Sequence, residues 1–291
     1  MVSSGWSARS ELFEKWLKSW LFSESGIASL KRCQELIDYS LRAGSKRFRP
    51  VLMMTALEMM GKKVEETRNA AIAIECIHTY SLIHDDLPCM DDDDYRRGRL
   101  TSHKHFGEAQ AVLAGDGLLT MAFELLGTMN PDISGPLVVE LARASGINGM
   151  VAGQVLDMEQ TGQAGGIEDL LNIHNRKTGA LISASLAMAG IIAQVSPDDL
   201  DRLRVLGLKI GLIFQVQDDI LDMVADPEKL GKSVGKDQEQ GKLTYPSLLG
   251  LDGARAYLHT LTSEVRDDLS NCPWDTEELD SIVSYLVTRE K

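Results

Sequence analysis

The chain has 291 residues, 44% hydrophobic and 25% charged, the composition of a folded globular protein and not of a disordered, collagenous or low-complexity one. Its 30 Lys and Arg against 43 Asp and Glu give a net charge of −13. That balance argues against a general nucleic-acid partner, which needs a basic surface, and against electrostatic docking on anionic membranes.

No apolar run approaches the roughly 18 residues of a membrane span. The N-terminus has no basic segment followed by an apolar one, as a secretory signal would. Cys33, Cys76, Cys89 and Cys272 lie far apart and in no metal-binding spacing. Reduced thiols and a cytoplasmic location are expected.

Helical periodicity dominates. It predicts helices near 8–22, 29–42, 48–60, 67–86, 108–127, 136–155, 167–191, 198–225 and 275–289. Gly61-Lys62-Lys63, Asn130-Pro131-Asp132, Thr161 to Gly166 and Ser196-Pro197-Asp198 separate them. Ser196 followed by Pro197 reads as a cap and a first-turn proline. Strand-like alternation is scarce, and no long Pro/Gly/Ser linker divides the chain. The expectation is one all-α domain over 1–291, a bundle of roughly ten or more helices with a site between them.

Two aspartate clusters carry the chemistry. Asp85-Asp86 end the helix predicted over 67–86, with Asp91 following beyond it; Asp218-Asp219 and Asp222 end the one over 198–225. Crowded carboxylates repel one another, resist burial and sit at the unfavourable end of the helix dipole. Something cationic should offset them. Asp218, Asp219 and Asp222 share one helical face. Asp85 and Asp91 do not, unless the chain breaks at Pro88 and Asp91 swings back. Hard carboxylate oxygens with room for water suit Mg²⁺, which usually also holds substrate phosphate. Asp92, Asp93 and Asp94 read as a solvated loop or a cap.

An acidic protein that binds phosphate needs local cations. Lys46, Arg47 and Arg49 precede a helix, Arg96, Arg97 and Arg99 follow the first cluster, and Lys177, Lys232 and Lys242 flank the second in sequence. Such groups hold diphosphates by charge-assisted hydrogen bonds. His78 lies two turns before Asp85 on the same face, as a satisfied core histidine or as a phosphate donor.

These pieces together resemble a known family. GSKRFRP (44–50), IHTYSLIHDDLPCMDDDDYRRGRLTSH (77–103), FGEAQAVLAGDGLL (106–119), GQVLD (153–157), KTG (177–179), FQVQDDILD (214–222) and LGKSVGKDQEQGKLTYPSLLG (230–250) occur in the order found in short-chain trans-isoprenyl diphosphate synthases, the bacterial farnesyl diphosphate synthase branch in particular. The resemblance implies the all-α isoprenoid synthase fold, a homodimer, and about three Mg²⁺ held by Asp85, Asp86, Asp91, Asp218, Asp219 and Asp222. It assigns Arg96, Lys177, Lys232 and Lys242 to an allylic diphosphate, and Lys46, Arg49, His78 and Arg97 to isopentenyl diphosphate. Lys177, Thr178 and Gln215 would lie beside the reacting carbon. The implied reaction is ionisation, condensation and elimination. Ser45 departs from the family's second glycine. Residues 1–26 and the last thirty receive no role.

In this family the residue five before the first Asp often closes the product pocket. Here it is Tyr80, with Ser81 next to it. An aromatic about 1.4 turns below the metal site, at about 5.4 Å per turn, should stop growth at C15, with C20 as the first alternative and C10 as the second. A terpene cyclase would lack GSKRFRP and the second Asp-Asp motif. A silent subunit of a heteromeric synthase would usually lose one motif. A Ca²⁺ loop would show DxDxDG.

Overall fold

Two helices are apolar on nearly every face, and that decides where they sit. Phe48–Met59 (α3) and Ala180–Ala193 (α10) are almost wholly buried and pack on each other at the centre. The structure is a computed structural model that describes residues 4–22, 31–224 and 242–289.

Around that centre run α1 (Ser4–Leu21), α2 (Lys31–Leu41), a 3₁₀ turn (Val64–Thr67) and α4 (Arg68–Asp85). A short hairpin, β1 (Tyr95–Arg96) and β2 (Arg99–Leu100), leads to α5 (Ser102–Phe106) and α6 (Glu108–Gly127). Then come α7 (Pro131–Ser145), α8 (Met150–Gln160), α9 (Ile167–His174), a π-helical turn (Asn175–Gly179), α10, α11 (Pro197–Val224), α12 (Tyr245–Ser270) and α13 (Glu277–Thr288). α4 packs along α6, and α10 along α7 and α11. The all-α expectation holds.

Small residues let the central helices close up. A Cβ on Gly207 would stand 2.5 Å from the Ser183 Cα, and one on Gly211 2.8 Å from the Gly179 Cα. α11 therefore lies against both the π turn and the start of α10. That contact brings the second Asp cluster to the site.

Boundaries differ from expectation in several places. The helix expected over 136–155 is two helices, because Gly146 and Gly149 leave helical geometry; a Cβ on Gly149 would meet the Ala144 carbonyl oxygen at 2.1 Å. α7 begins earlier, at Pro131, where the Asn130 side chain accepts from Asp132 N at 3.0 Å. The helix expected over 167–191 is interrupted by the π turn. α12 was not among the predicted helices: Gly250, at φ +72°, breaks it and blurs its period. Its start is capped, with Thr244 Oγ1 accepting from Ser247 N at 3.2 Å. The Ser196–Pro197 start is as read, with Ser196 Oγ accepting from Asp199 N at 3.2 Å.

α6 is long and apolar enough to cross a bilayer by length and composition alone. It carries Asp116 and Glu124 and packs along α4 on one side, with Leu113 exposed on its uncovered face.

Candidate active site

α4 stops at Asp85, and the chain turns back on it. Asp91 N donates to Asp85 O at 2.9 Å and Asp93 N to Asp86 O at 3.2 Å. The break around Pro88 thus returns Asp91 to Asp85, as the spacing required. Asp86 is buried and gripped by Arg96 of the hairpin, through Nε at 2.6 Å and Nη2 at 2.5 Å. Burial pushes the Asp86 carboxyl up to about 6 even against that guanidinium. Burial raises Asp85 too, opposed by Lys177. Asp92 takes a left-handed backbone and Asp94 pairs with Lys104 at 2.8 Å, so this stretch is a charged loop, as expected.

Hydrogen-bonded side chains reach from each Asp cluster toward the π turn. Gln154 of α8 donates to Asp85 Oδ1. One turn on, Asp157 accepts from Lys177 Nζ at 2.6 Å. Thr178 Oγ1 donates to Gln215 Oε1 at 3.1 Å, and Gln215 Nε2 to Asp219 Oδ1 at 3.0 Å. Asp219 is buried and also accepts from Tyr245 N at 3.0 Å. Lys242 Nζ stands 3.7 Å from Asp91 Oδ1. The π turn presents Lys177 and Thr178 together, a use to which such bulges are often put. Burial would lower the Lys177 ammonium, but Asp85 and Asp157 outweigh it and hold it above its ordinary value.

Cations collect where α3 begins. Of the three in GSKRFRP, Arg47 is a strut, not a ligand. It is 1% exposed and bonds Glu75 at 2.7 Å, Glu14 at 2.6 Å and the Leu41 carbonyl at 2.6 Å. Ser45, the departure from the expected second glycine, accepts from Arg47 N at 3.2 Å and donates to Glu75 at 3.3 Å. Arg49 follows on the first turn of α3, close enough to His78 for its charge to be felt there. Burial, then the charge of Arg97, push the Arg49 guanidinium down to about 10, with Glu75 opposing. Burial, then Arg49 and Arg97, hold His78 well below its usual range. The Arg49 Nε has no hydrogen-bond partner. Two guanidiniums, Arg49 and Arg97, and a neutral imidazole thus stand close together, with one buried donor unmatched.

A family model described as Polyprenyl synthetase matches residues 30–283. The chain belongs to the polyprenyl synthetase family. It is 46% identical to a farnesyl diphosphate synthase of Micrococcus luteus, over 89% of this chain and 90% of that one. It is equally 46% identical to the large subunit 1 of a heterodimeric chloroplastic geranylgeranyl pyrophosphate synthase of Arabidopsis thaliana, over 89% and 72%. Its fold matches a Helicobacter pylori geranyltransferase crystallised with magnesium and isoprenyl diphosphate, at a TM-score of 0.84 and 35% identity, covering 99% of this chain and 97% of that one.

In this polyprenyl synthetase the donor set fits a hard divalent cation. Among the described residues no three His, Cys, Asp or Glu converge closely enough to form a metal cage. The carboxylates of Asp85, Asp86 and Asp91 offer the hard oxygens that such an ion takes. The desolvated carboxylate of Asp86 is the kind of group such a charge offsets. Asp218 and Asp222 are half-buried at the end of α11.

The structure brings together Asp85, Asp86, Asp91, Arg96, Lys177 and Lys242, and separately Lys177, Thr178, Gln215 and Asp219. Lys232 lies outside the described residues. Tyr80 is buried and meets His84 edge-on; the Ser81 hydroxyl bonds back to His78 O at 2.9 Å. Sequence reasoning assigned no role to Gln154, Asp157 or Arg289. The first two are a polar pair at i, i+3 in GQVLD, a visible signal; Arg289 gave none.

Proposed function

We propose that the protein condenses isopentenyl diphosphate head-to-tail with allylic diphosphates, dimethylallyl then geranyl, and releases farnesyl diphosphate. The observation that carries this is the π turn, which presents Lys177, bonded to Asp157 and facing Asp85, next to Thr178, bonded through Gln215 to Asp219, with the Arg49 and Arg97 guanidiniums and the neutral His78 near one another.

Asp85, Asp86 and Asp91 with Asp218, Asp219 and Asp222 would hold the Mg²⁺, about three ions. Bound there, Mg²⁺ supplies positive charge that offsets the leaving diphosphate. Arg96, Lys177 and Lys242, with Lys232, orient the allylic diphosphate and stabilise charge as the C–O bond ionises. Lys46, Arg49, His78 and Arg97 hold the second diphosphate and aim the C4 of isopentenyl diphosphate at the allylic cation. Thr178 and Gln215 present oxygen dipoles to that cation, and the released diphosphate accepts the proton lost on elimination. No protein nucleophile is required.

Tyr80 closes the pocket and sets the C15 product. The equal identity to a geranylgeranyl synthase subunit supports C20 as the second reading. The uncovered face of α6, with Leu113 61% exposed, supports a homodimer through that helix. The test is incubation of purified protein with Mg²⁺, labelled isopentenyl diphosphate and dimethylallyl diphosphate, followed by chain-length analysis of the dephosphorylated alcohols. Farnesol supports the proposal in full; geranylgeraniol keeps the reaction and removes Tyr80 as the floor; no condensation removes the reaction.

A further inference from the structure

A floor works only if it cannot swing aside, and what holds Tyr80 lies on α4 and α6. Tyr80 and His84 are one turn apart on the same face of α4. Their rings meet edge-to-face, with centroids 5.7 Å apart and an interplanar angle of 78°, a favourable arrangement. His84 is itself fixed twice. Its Nε2 lies 3.1 Å from the Val112 carbonyl oxygen of α6; a carbonyl only accepts, so this nitrogen carries the proton. Its ring also lies on the bare Cα of Gly115. A Cβ there would stand 2.1 Å from His84 Nε2, and the three atoms it would meet first all belong to this ring.

We infer that His84, seated on Gly115 of α6, forms a bracket that holds the Tyr80 ring in place and so determines product chain length. This rests on the reading of Tyr80 as the floor. His84 stands next to Asp85 in sequence but holds neither diphosphate nor metal in that reading. It acts through Tyr80, as a positioning residue. Without it, Tyr80 gains the space of an imidazole beside its ring, and a growing chain can displace it. Gly115 serves because no other residue leaves room for the imidazole to reach Val112.

The test compares products from wild type, Tyr80→Ala, His84→Ala, His84→Gln, Gly115→Ala and the double variant His84→Ala/Gly115→Ala. In His84→Ala the ratio of C20 to C15 alcohols should rise by about tenfold or more, the scale on which pockets discriminate by size. Total isopentenyl incorporation should not fall in proportion. Gly115→Ala should lengthen the product as well, because its methyl drives the imidazole off Val112. It should add nothing once His84 is alanine, as residues acting as one unit are non-additive. His84→Gln keeps a donor for Val112 and should recover part of the C15 preference.

If Tyr80→Ala lengthens the product but His84→Ala and Gly115→Ala keep the wild-type ratio, the bracket is wrong and the floor stands. If Gly115→Ala lengthens the product equally with and without His84, it acts by another route and the bracket is wrong. If Tyr80→Ala does not lengthen the product, the floor falls and the bracket with it.

Discussion

Arg289 Nη2 stands 3.1 Å from Asp218 Oδ1, so the segment after α13 reaches back to the first carboxylate of the second Asp motif. The same nitrogen donates to Phe214 O at 3.0 Å, and the guanidinium lies 4.2 Å over the Phe214 ring. Gln217 Nε2 donates to Arg289 O at 3.1 Å. α11 therefore carries both Asp218 and the groups, Phe214 and Gln217, that clamp its partner cation.

Arg289→Gln separates the two consequences. Asp218 loses a competing cation, so the Mg²⁺ concentration for half-maximal rate should fall about threefold to fivefold, equivalent to the ~1 kcal/mol ceiling of a half-exposed ion pair. The ring contact is lost too, and the melting temperature should drop by a few degrees. A Mg²⁺ titration of rate and a thermal melt check both. An unchanged Mg²⁺ requirement would leave Arg289 as a packing residue only.

Gly153 is the point where α8 meets the π turn. A Cβ there would fall 2.1 Å from Lys177 N and 2.6 Å from its Cα, both backbone atoms that cannot rotate away. Gly153→Ala should cost about 1–3 kcal/mol of stability, as overpacking does. It should lower kcat by much more than Gly127→Ala, whose Cβ meets nothing within 4 Å. Steady-state kinetics with a denaturant titration separate the two losses.

What was legible in the sequence were features with a period or a charge. The 3.6-residue pattern marked α3, α4, α6 and α11, and Pro88 marked the turn that returns Asp91. The Gly146–Gly149 break was missed because apolar residues continue through it. The π turn was missed because it inserts one residue into a helix without a breaker. Arg47 looked like its neighbours Lys46 and Arg49 in sequence. Only its left-handed backbone, φ +50°, and the distant Glu14 and Glu75 set it apart as a strut. Long-range pairings such as Arg289 with Asp218 have no local signature.

The carboxylates should be needed as ligands and not as bases. Chelation with EDTA should abolish condensation, and added Mg²⁺ should restore it. Asp85→Asn and Asp219→Asn should each lower kcat by about 10²–10³, the loss expected when preorganised stabilisation of developing charge is removed. Asp94→Asn, in the loop paired to Lys104, should leave kcat near wild type. Turnover that survives chelation would sink the metal-dependent reading.

Acid stability should be governed in part by His174, which lies behind the Lys177–Asp157 pair. It is 9% exposed, its Nδ1 has no partner, and its ring lies 5.4 Å from that of Tyr245. Burial pushes it down to about 3, with Asp157 opposing and Lys177 adding. In the unfolded chain it titrates near ~6.5. Between these values the unfolded state binds the extra proton. Stability is therefore full above ~6.5 and falls as pH drops toward 3, by up to about 1.4 kcal/mol per pH unit. Asp86 has the opposite sign: raised to about 6, it favours the fold most below its unfolded value near ~3.9 and loses that contribution as pH rises through 6. Both chains of a comparison share the Asp86 contribution, so a difference isolates the histidine. Urea midpoints of wild type and His174→Phe from pH 7 to pH 4 should diverge, with the wild type falling more steeply. Parallel curves would mean that His174 is not held neutral by the fold.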